Sequence, residues 1–220
     1  IGLITTGLTE TQGADVPRSL KAFRTRYPEW NQVAIVPVSA SDTLGCLETG
    51  YAHALRAIIE ELAPTGVPNR GATRPTRVNL LAPSMLTPGD IEAIKAWVEA
   101  FGLVPVVLPD LADSLDGHLI GEGFSALTYG GTTREQLASL NQSVATLVIG
   151  RSLDAAADAL RARTGVPDFR FVHLTGLQAC DDFTFTLARL AGKAVPSGIE
   201  RQRAQLLDAM VQRSLGLKEC

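Results

Sequence analysis

Short runs of consecutive apolar residues alternate along this chain with longer stretches whose apolar positions recur every three or four residues. Ile1–Thr6 is β-rich and stops at Gly7. Asp15–Tyr27 has helical spacing, with Leu20, Phe23 and Tyr27 on one face and Asp15 and Pro17 as start signals. Val33–Val38 reads as a second, buried-type strand. Leu47–Leu62 reads as a helix whose inner stripe is Ala54, Leu55, Ile58, Ile59 and Leu62. Pro64–Pro75 has three prolines, two glycines and no periodicity, so it reads as a loop or linker.

The alternation then resumes. Val78–Leu81 is a strand, and Thr87, Pro88 and Asp90 form a helix start with Thr87 as cap; that helix runs to about Phe101. Val104–Leu108 is the next strand, Pro109–Gly123 is irregular and acidic, and Ser125–Tyr129 is a strand ended by Gly130–Gly131. Thr132 and Glu135 fit a capping box for a short helix. Val144–Ile149 and Phe169–Leu174 read as strands around a helix at Leu153–Arg163, and Leu177–Leu190 and Ile199–Leu215 as long helices. Strands alternating with helices of this length predict right-handed crossovers and a parallel sheet covered on both faces. The fold expected is α/β, with Rossmann-like parallel-sheet layers.

Composition narrows the function more than the fold. The chain has 220 residues, 45% apolar and 20% charged, with a formal net charge of −3, which excludes a disordered or collagen-like chain. No apolar run reaches the roughly 18 residues of a membrane-spanning helix. No Lys/Arg block is present, which argues against nucleic acid as the main ligand. Cys46, Cys180 and Cys220 are too few and too scattered for a disulfide scaffold, so a reduced, cytoplasmic setting is expected.

Candidate chemistry is sparse. His53, His118 and His173 lie far apart, with no ligand-spaced neighbours, and no metal site is expected from this chain's own residues. Cys46 follows Gly45 at a predicted helix start, where it reads either as a small buried residue or as a thiol of lowered pKa. Asp110, Asp113 and Asp116 could hold a cation through oxygen, or simply form turns. Three loops follow strand ends, where open parallel sheets bind ligands: Gly7–Gly13, Ser39–Gly45 and Gly130–Thr133. If the first two strands are neighbours, Thr5–Gly7 and Asp42 share one rim. None of the loops is a G-x-G-x-x-G or a P-loop.

Thr5–Asp15, TTGLTETQGAD, resembles a motif of the nitrogenase component 1 superfamily, and the resemblance continues in order. It includes Val36–Gly50, Val78–Pro88, Ser114–Leu119 (SLDGHL), the GGTT turn at Gly130–Leu137, and Arg201–Met210 (RQRAQLLDAM). The tail Gln212–Cys220 departs from the family pattern. The resemblance implies a fragment of a three-domain subunit. Residues 1–63 would end a first α/β domain, 64–76 would be a linker, and 77–176 a central Rossmann-like domain. Residues 177–220 would connect toward a third domain.

Within the superfamily, a catalytic β subunit carries a cluster-ligating cysteine where this chain has Gly7. Gly7 supplies no thiolate, and TTGLTETQG with SLDGHL is more similar to the β-like subunit of the family's cofactor-assembly scaffold. That implies an α-like partner in an α2β2 heterotetramer, the nitrogenase iron protein as electron donor, an interfacial [4Fe–4S] cluster and an iron–molybdenum cofactor precursor as cargo. The ligands to the cluster would lie outside this segment. Thr6, Gly7 and Asp42 would face the cluster without ligating it, setting its polarity and backbone approach. The alternatives are a β-type subunit of nitrogenase or of dark-operative protochlorophyllide reductase, or a stand-alone nucleotide- or sugar-binding α/β module.

Overall fold

A computed structural model describes residues 1–41, 43, 45–66, 76–115 and 130–216; of residues 113 and 214–216 it describes the backbone only. The predicted strand at 125–129, with Asp42, Asp116 and His118, lies outside the described residues.

Among the described residues two parallel sheets form. Strand β1 (Gly2–Ile4) pairs with β2 (Val36–Val38), with Gly2 opposite Val36 and Ile4 opposite Val38. The second sheet has four strands: β3 (Arg77–Leu81), β4 (Val104–Leu108), β5 (Ala145–Ile149) and β6 (Asp168–Phe171), in spatial order β4-β3-β5-β6. Chain order therefore turns back at β3, because the connection from β4 passes over it to reach β5.

The strands of this sheet are apolar without alternation because both faces are covered. On one face, Leu80, Val107, Leu147 and Ile149 meet helix α4 (Pro88–Ala100) and helix α8 (Leu177–Ala191), which bring Ile91, Ile94, Val98, Phe183 and Leu187. On the other, Leu81, Val106, Leu108 and Val148 meet helix α3 (Leu47–Leu62) and helix α7 (Asp154–Thr164). Helix α3 packs its Leu55 and Ile59 there while also lying against β2. Its end is fastened to α7, where the Arg163 guanidinium donates to the Ala63 carbonyl at 2.9 and 2.6 Å. The two sheets are thus joined through α3.

Local signals explain most element ends. Thr87 caps α4 in a full capping box with Asp90, whose carboxylate takes both the backbone N–H and the hydroxyl of Thr87. Those bonds hold Asp90 below the ordinary carboxylate range, so this contribution is present at neutral pH and is lost as pH falls through the lowered pKa. Gly165 closes α7 in the left-handed conformation, φ 67°.

Three expectations are corrected. Two short helices, α5 (Ala112–Leu115) and α6 (Arg134–Ala138), lie between β4 and β5, and the second capping box, at the start of α6, is Thr133 with Gln136, not Thr132 with Glu135. Thr132 is engaged elsewhere, since its hydroxyl donates to the Val107 carbonyl at 2.7 Å and accepts from the Asp110 N–H at 2.8 Å. The stretch from Gly7 is not only a turn, because Gly7–Thr11 forms a short helix, α1. Helix α2 (Val16–Arg26) forms as expected, but Phe23 and Tyr27 are exposed, since nothing among the described residues covers that face.

Candidate functional site

The rim expected at the ends of the first two strands forms because β1 and β2 are parallel neighbours. Their ladder ends where the Thr5 N–H donates to the Val38 carbonyl at 3.0 Å. Thr5 is buried, and its hydroxyl accepts the Ala40 N–H at 3.3 Å. Two loops, starting at Thr5 and Ser39, therefore leave the sheet side by side.

Thr6 stands at this rim as the N-cap of α1. Its hydroxyl accepts from the Thr9 N–H at 3.4 Å and lies 3.1 Å from the Thr9 hydroxyl, so its polar group is engaged within its own turn. Gly7 is the first residue of α1 and half-buried; its φ is not in the left-handed region. Its backbone conformation would accept any L-residue, so the backbone does not call for glycine here. Asp42 lies outside the described residues, between Ser41 and Thr43, whose hydroxyls are 2.9 Å apart.

Sequence reasoning missed Glu10. Its carboxylate accepts from the Ser39 hydroxyl of the neighbouring loop and lies 3.5 Å from the Thr5 hydroxyl. The signal that could have found it was an acidic residue one helical turn beyond the Thr6 cap, in a loop otherwise rich in hydroxyls.

Cys46 caps α3 beside Gly45, where φ is 136° and a Cβ would lie 2.8 Å from the Thr49 hydroxyl, so only glycine fits. The expectation of a small buried residue fails: Cys46 is exposed. Its thiol is pulled below the ordinary value by the Thr49 N–H, then by the Thr49 hydroxyl and the Glu48 N–H. Cys180 on α8 behaves oppositely. Its thiol donates to the Leu174 carbonyl, and burial, then the Asp181 charge, push its pKa up. Iodoacetamide at neutral pH is therefore expected to label Cys46 at least about tenfold faster than Cys180. Peptide-resolved mass spectrometry reads the two rates, and the reverse order would contradict this assignment.

The remaining candidates stay apart. Asp110 pairs with Lys95 at 3.2 Å and accepts the Ala112 N–H at 3.2 Å, which makes it a turn former. His53 lies exposed on α3, and His173 follows β6, where its Nδ1 accepts the Thr175 N–H at 3.3 Å. Among the described residues, no three His, Cys, Asp or Glu side chains converge as a metal site. These residues do not make a ligand set for an iron–sulfur cluster. What the rim offers is hydroxyls, backbone and the Glu10 carboxylate. Among the described residues, no helix is long and apolar enough to cross a membrane.

Residues 1–219 match the family described as "Nitrogenase component 1 type Oxidoreductase". The chain belongs to that family. Among curated proteins it is similar to "Nitrogenase iron-molybdenum cofactor biosynthesis protein NifN" of Klebsiella pneumoniae. The two are 44% identical over 218 residues, which is 99% of this chain and 47% of that protein. The protein of the same name from Nostoc sp. is also 44% identical, over 96% of this chain and 46% of its own length. A solved structure described as "Nitrogenase Cp1 at pH 6.5" superposes with a TM-score of 0.84 at 28% identity, covering 96% of this chain and 45% of that one. The chain spans about half the length of the curated relatives it matches. Membership of the nitrogenase component 1 family accounts for the parallel α/β layers and for the ordered series of motifs.

Proposed function

We propose that this chain is part of the β-like subunit of a scaffold that matures the nitrogenase iron–molybdenum cofactor, in the cytoplasm. The observation that carries this reading is Gly7. It stands at the end of β1, on a rim of hydroxyls and backbone, where resemblance puts a cluster-ligating cysteine in a catalytic β subunit. The names of the relatives, which are cofactor-biosynthesis proteins at 44% identity, support the same reading.

In this reading an α-like subunit pairs with the chain as an α2β2 heterotetramer, around an interfacial [4Fe–4S] cluster whose ligands come from outside this segment. The nitrogenase iron protein delivers electrons, and the cofactor precursor is cargo. The part played by this chain's own residues is to shape a wall. Thr6 holds the strand end in register by capping α1, Gly7 leaves the approach open, and Asp42 contributes charge from the second loop.

The domain reading is proposed with it: 1–63, a linker at 64–76, a central unit at 77–176 and a connection at 177–220. Helix α9 (Ser197–Gly216) suits a connection toward a further domain. It leaves Leu206 exposed, with Phe185 of α8, on a cavity of about 600 Å3 between the two helices, and Val211 exposed further along.

Anaerobic co-expression of the full-length protein with an α-like partner tests the function. A co-purifying complex with an iron–sulfur EPR signal is the expected result. A stable monomer free of iron would count decisively against the proposal.

A further inference from the structure

Helix α1 has five residues and buries none of them, so apolar packing does not hold it. A helix of this length has no intrinsic stability either. The β1–β2 ladder has already ended at Thr5 and Val38. Beyond that point side chains join the two loops at two places, the Thr5 hydroxyl, 3.4 Å from the Val38 carbonyl, and the Glu10 carboxylate. The Glu10 carboxylate accepts from the Ser39 hydroxyl across 29 positions of sequence and stands 3.5 Å from the Thr5 hydroxyl. Thr5 in turn takes the Ala40 N–H at 3.3 Å. Glu10 thus grips the second loop from the far end of the helix that Gly7 begins.

We propose that Glu10 is the positioning residue of this rim: it sets the spacing between Thr6–Gly7 and the Ser39–Ser41 loop. A carboxylate suits this role because it only accepts: the Ser39 hydroxyl donates to it, and it stands at 3.5 Å as a second acceptor for the Thr5 hydroxyl, which also lies 3.4 Å from the Val38 carbonyl. Gly7 then has a fixed backbone position relative to the second loop. The consequence for a cluster at this rim rests on the proposed scaffold function; the clamp itself does not.

Two measurements on the full-length protein, in its complex with the α-like partner where that forms, separate the two. Amide hydrogen exchange of the Glu10→Ala variant is expected to rise about tenfold in residues 6–13 and 39–41, the loss of one charge-assisted hydrogen bond at an exposed site, with β3 and β5 unchanged. Glu10→Gln keeps an accepting oxygen and is expected to retain most of the protection. In the complex, the EPR g-values and the reduction potential should move in Glu10→Ala and stay in Glu10→Gln. Unchanged exchange in either loop of Glu10→Ala, or equal loss in the two variants, would overturn the positioning role. Exchange that responds as expected in a protein devoid of iron would leave the clamp standing and defeat the scaffold reading.

Discussion

Replacing Phe183 by alanine is expected to remove about 4 kcal/mol of stability. Phe183 is fully buried. Its ring makes edge contacts with Trp97 at 5.4 Å and Phe171 at 5.2 Å, so one side chain ties α8 to α4 and to the end of β6. Truncation removes the transfer energy of the ring and leaves a cavity that three different elements would have to move to fill. Water does not fill it cheaply, because the surrounding cluster is apolar: Ile94, Val98, Leu147 and Leu187. The Trp97 indole N–H is buried without a partner among the described residues, so loosening there breaks no hydrogen bond they make. In a domain of this size the loss corresponds to a fall of roughly 8–16 °C in Tm. Phe185→Ala, two residues along the same helix at an exposed position, is the control and is expected to cost less than about 1 kcal/mol. Urea unfolding of both variants decides the matter: equal losses would mean that α8 does not carry the core contact assigned to it.

That contrast also explains what the sequence could convey. Phe183 and Phe185 are the same residue type on one helix, and only the position of the sheet decides which is covered. Patterning was strong where local chemistry and burial agree. Thr87-Pro88-Gly89-Asp90 marks the start of α4, and Leu47–Leu62 is bounded as expected because its Leu55–Ile59 stripe meets a real surface. It failed where side-chain partners come from afar. Thr132 and Thr133 are equivalent as caps by local rules; the Val107 carbonyl and the Asp110 N–H, more than twenty residues back, claim the first and leave the second to cap. Helix α2 has a clear apolar side, yet periodicity cannot say what lies against it.

The rim was legible in outline for a physical reason. Parallel neighbours bring loops that follow strands to one edge, so naming the β-rich run at Ile1–Thr6 and the strand at Val33–Val38 already brought Thr5–Gly7 near Ser39. Glu10 was not legible as part of it. Its role depends on five residues curling into α1, and helix propensity does not predict so short an element. The backbone conformation of Gly7 sharpens the reading of that position. A glycine at positive φ would have had a conformational explanation, and at Gly7 the backbone supplies none.

Asn79→Leu is expected to cost about 3 kcal/mol although it replaces a polar core residue by an apolar one of similar size. Asn79 is fully buried in β3, a strand otherwise read as continuous apolar core. Its amide donates to the Leu140 carbonyl at 2.9 Å and to the Thr146 hydroxyl at 3.2 Å, and its oxygen accepts from the Ser143 hydroxyl at 2.7 Å. These partners belong to β5 and to the segment leading into it, where the chain arriving from β4 has crossed over β3. The side chain therefore fixes where the crossover lands. Leucine fills the volume but gives no donor, and the Leu140 carbonyl and Thr146 hydroxyl lose theirs at a buried site. The penalty comes from the abandoned partners, so removing one should return part of it. Thr146→Val alone is expected to cost about 1 kcal/mol, and the double variant should be more stable than the sum of the two losses predicts, by at least about 0.5 kcal/mol. Equilibrium unfolding in urea measures all four corners of this cycle. Strict additivity would show that Asn79 acts by shape alone, and would remove the network as the reason a polar residue stands in the middle of the sheet.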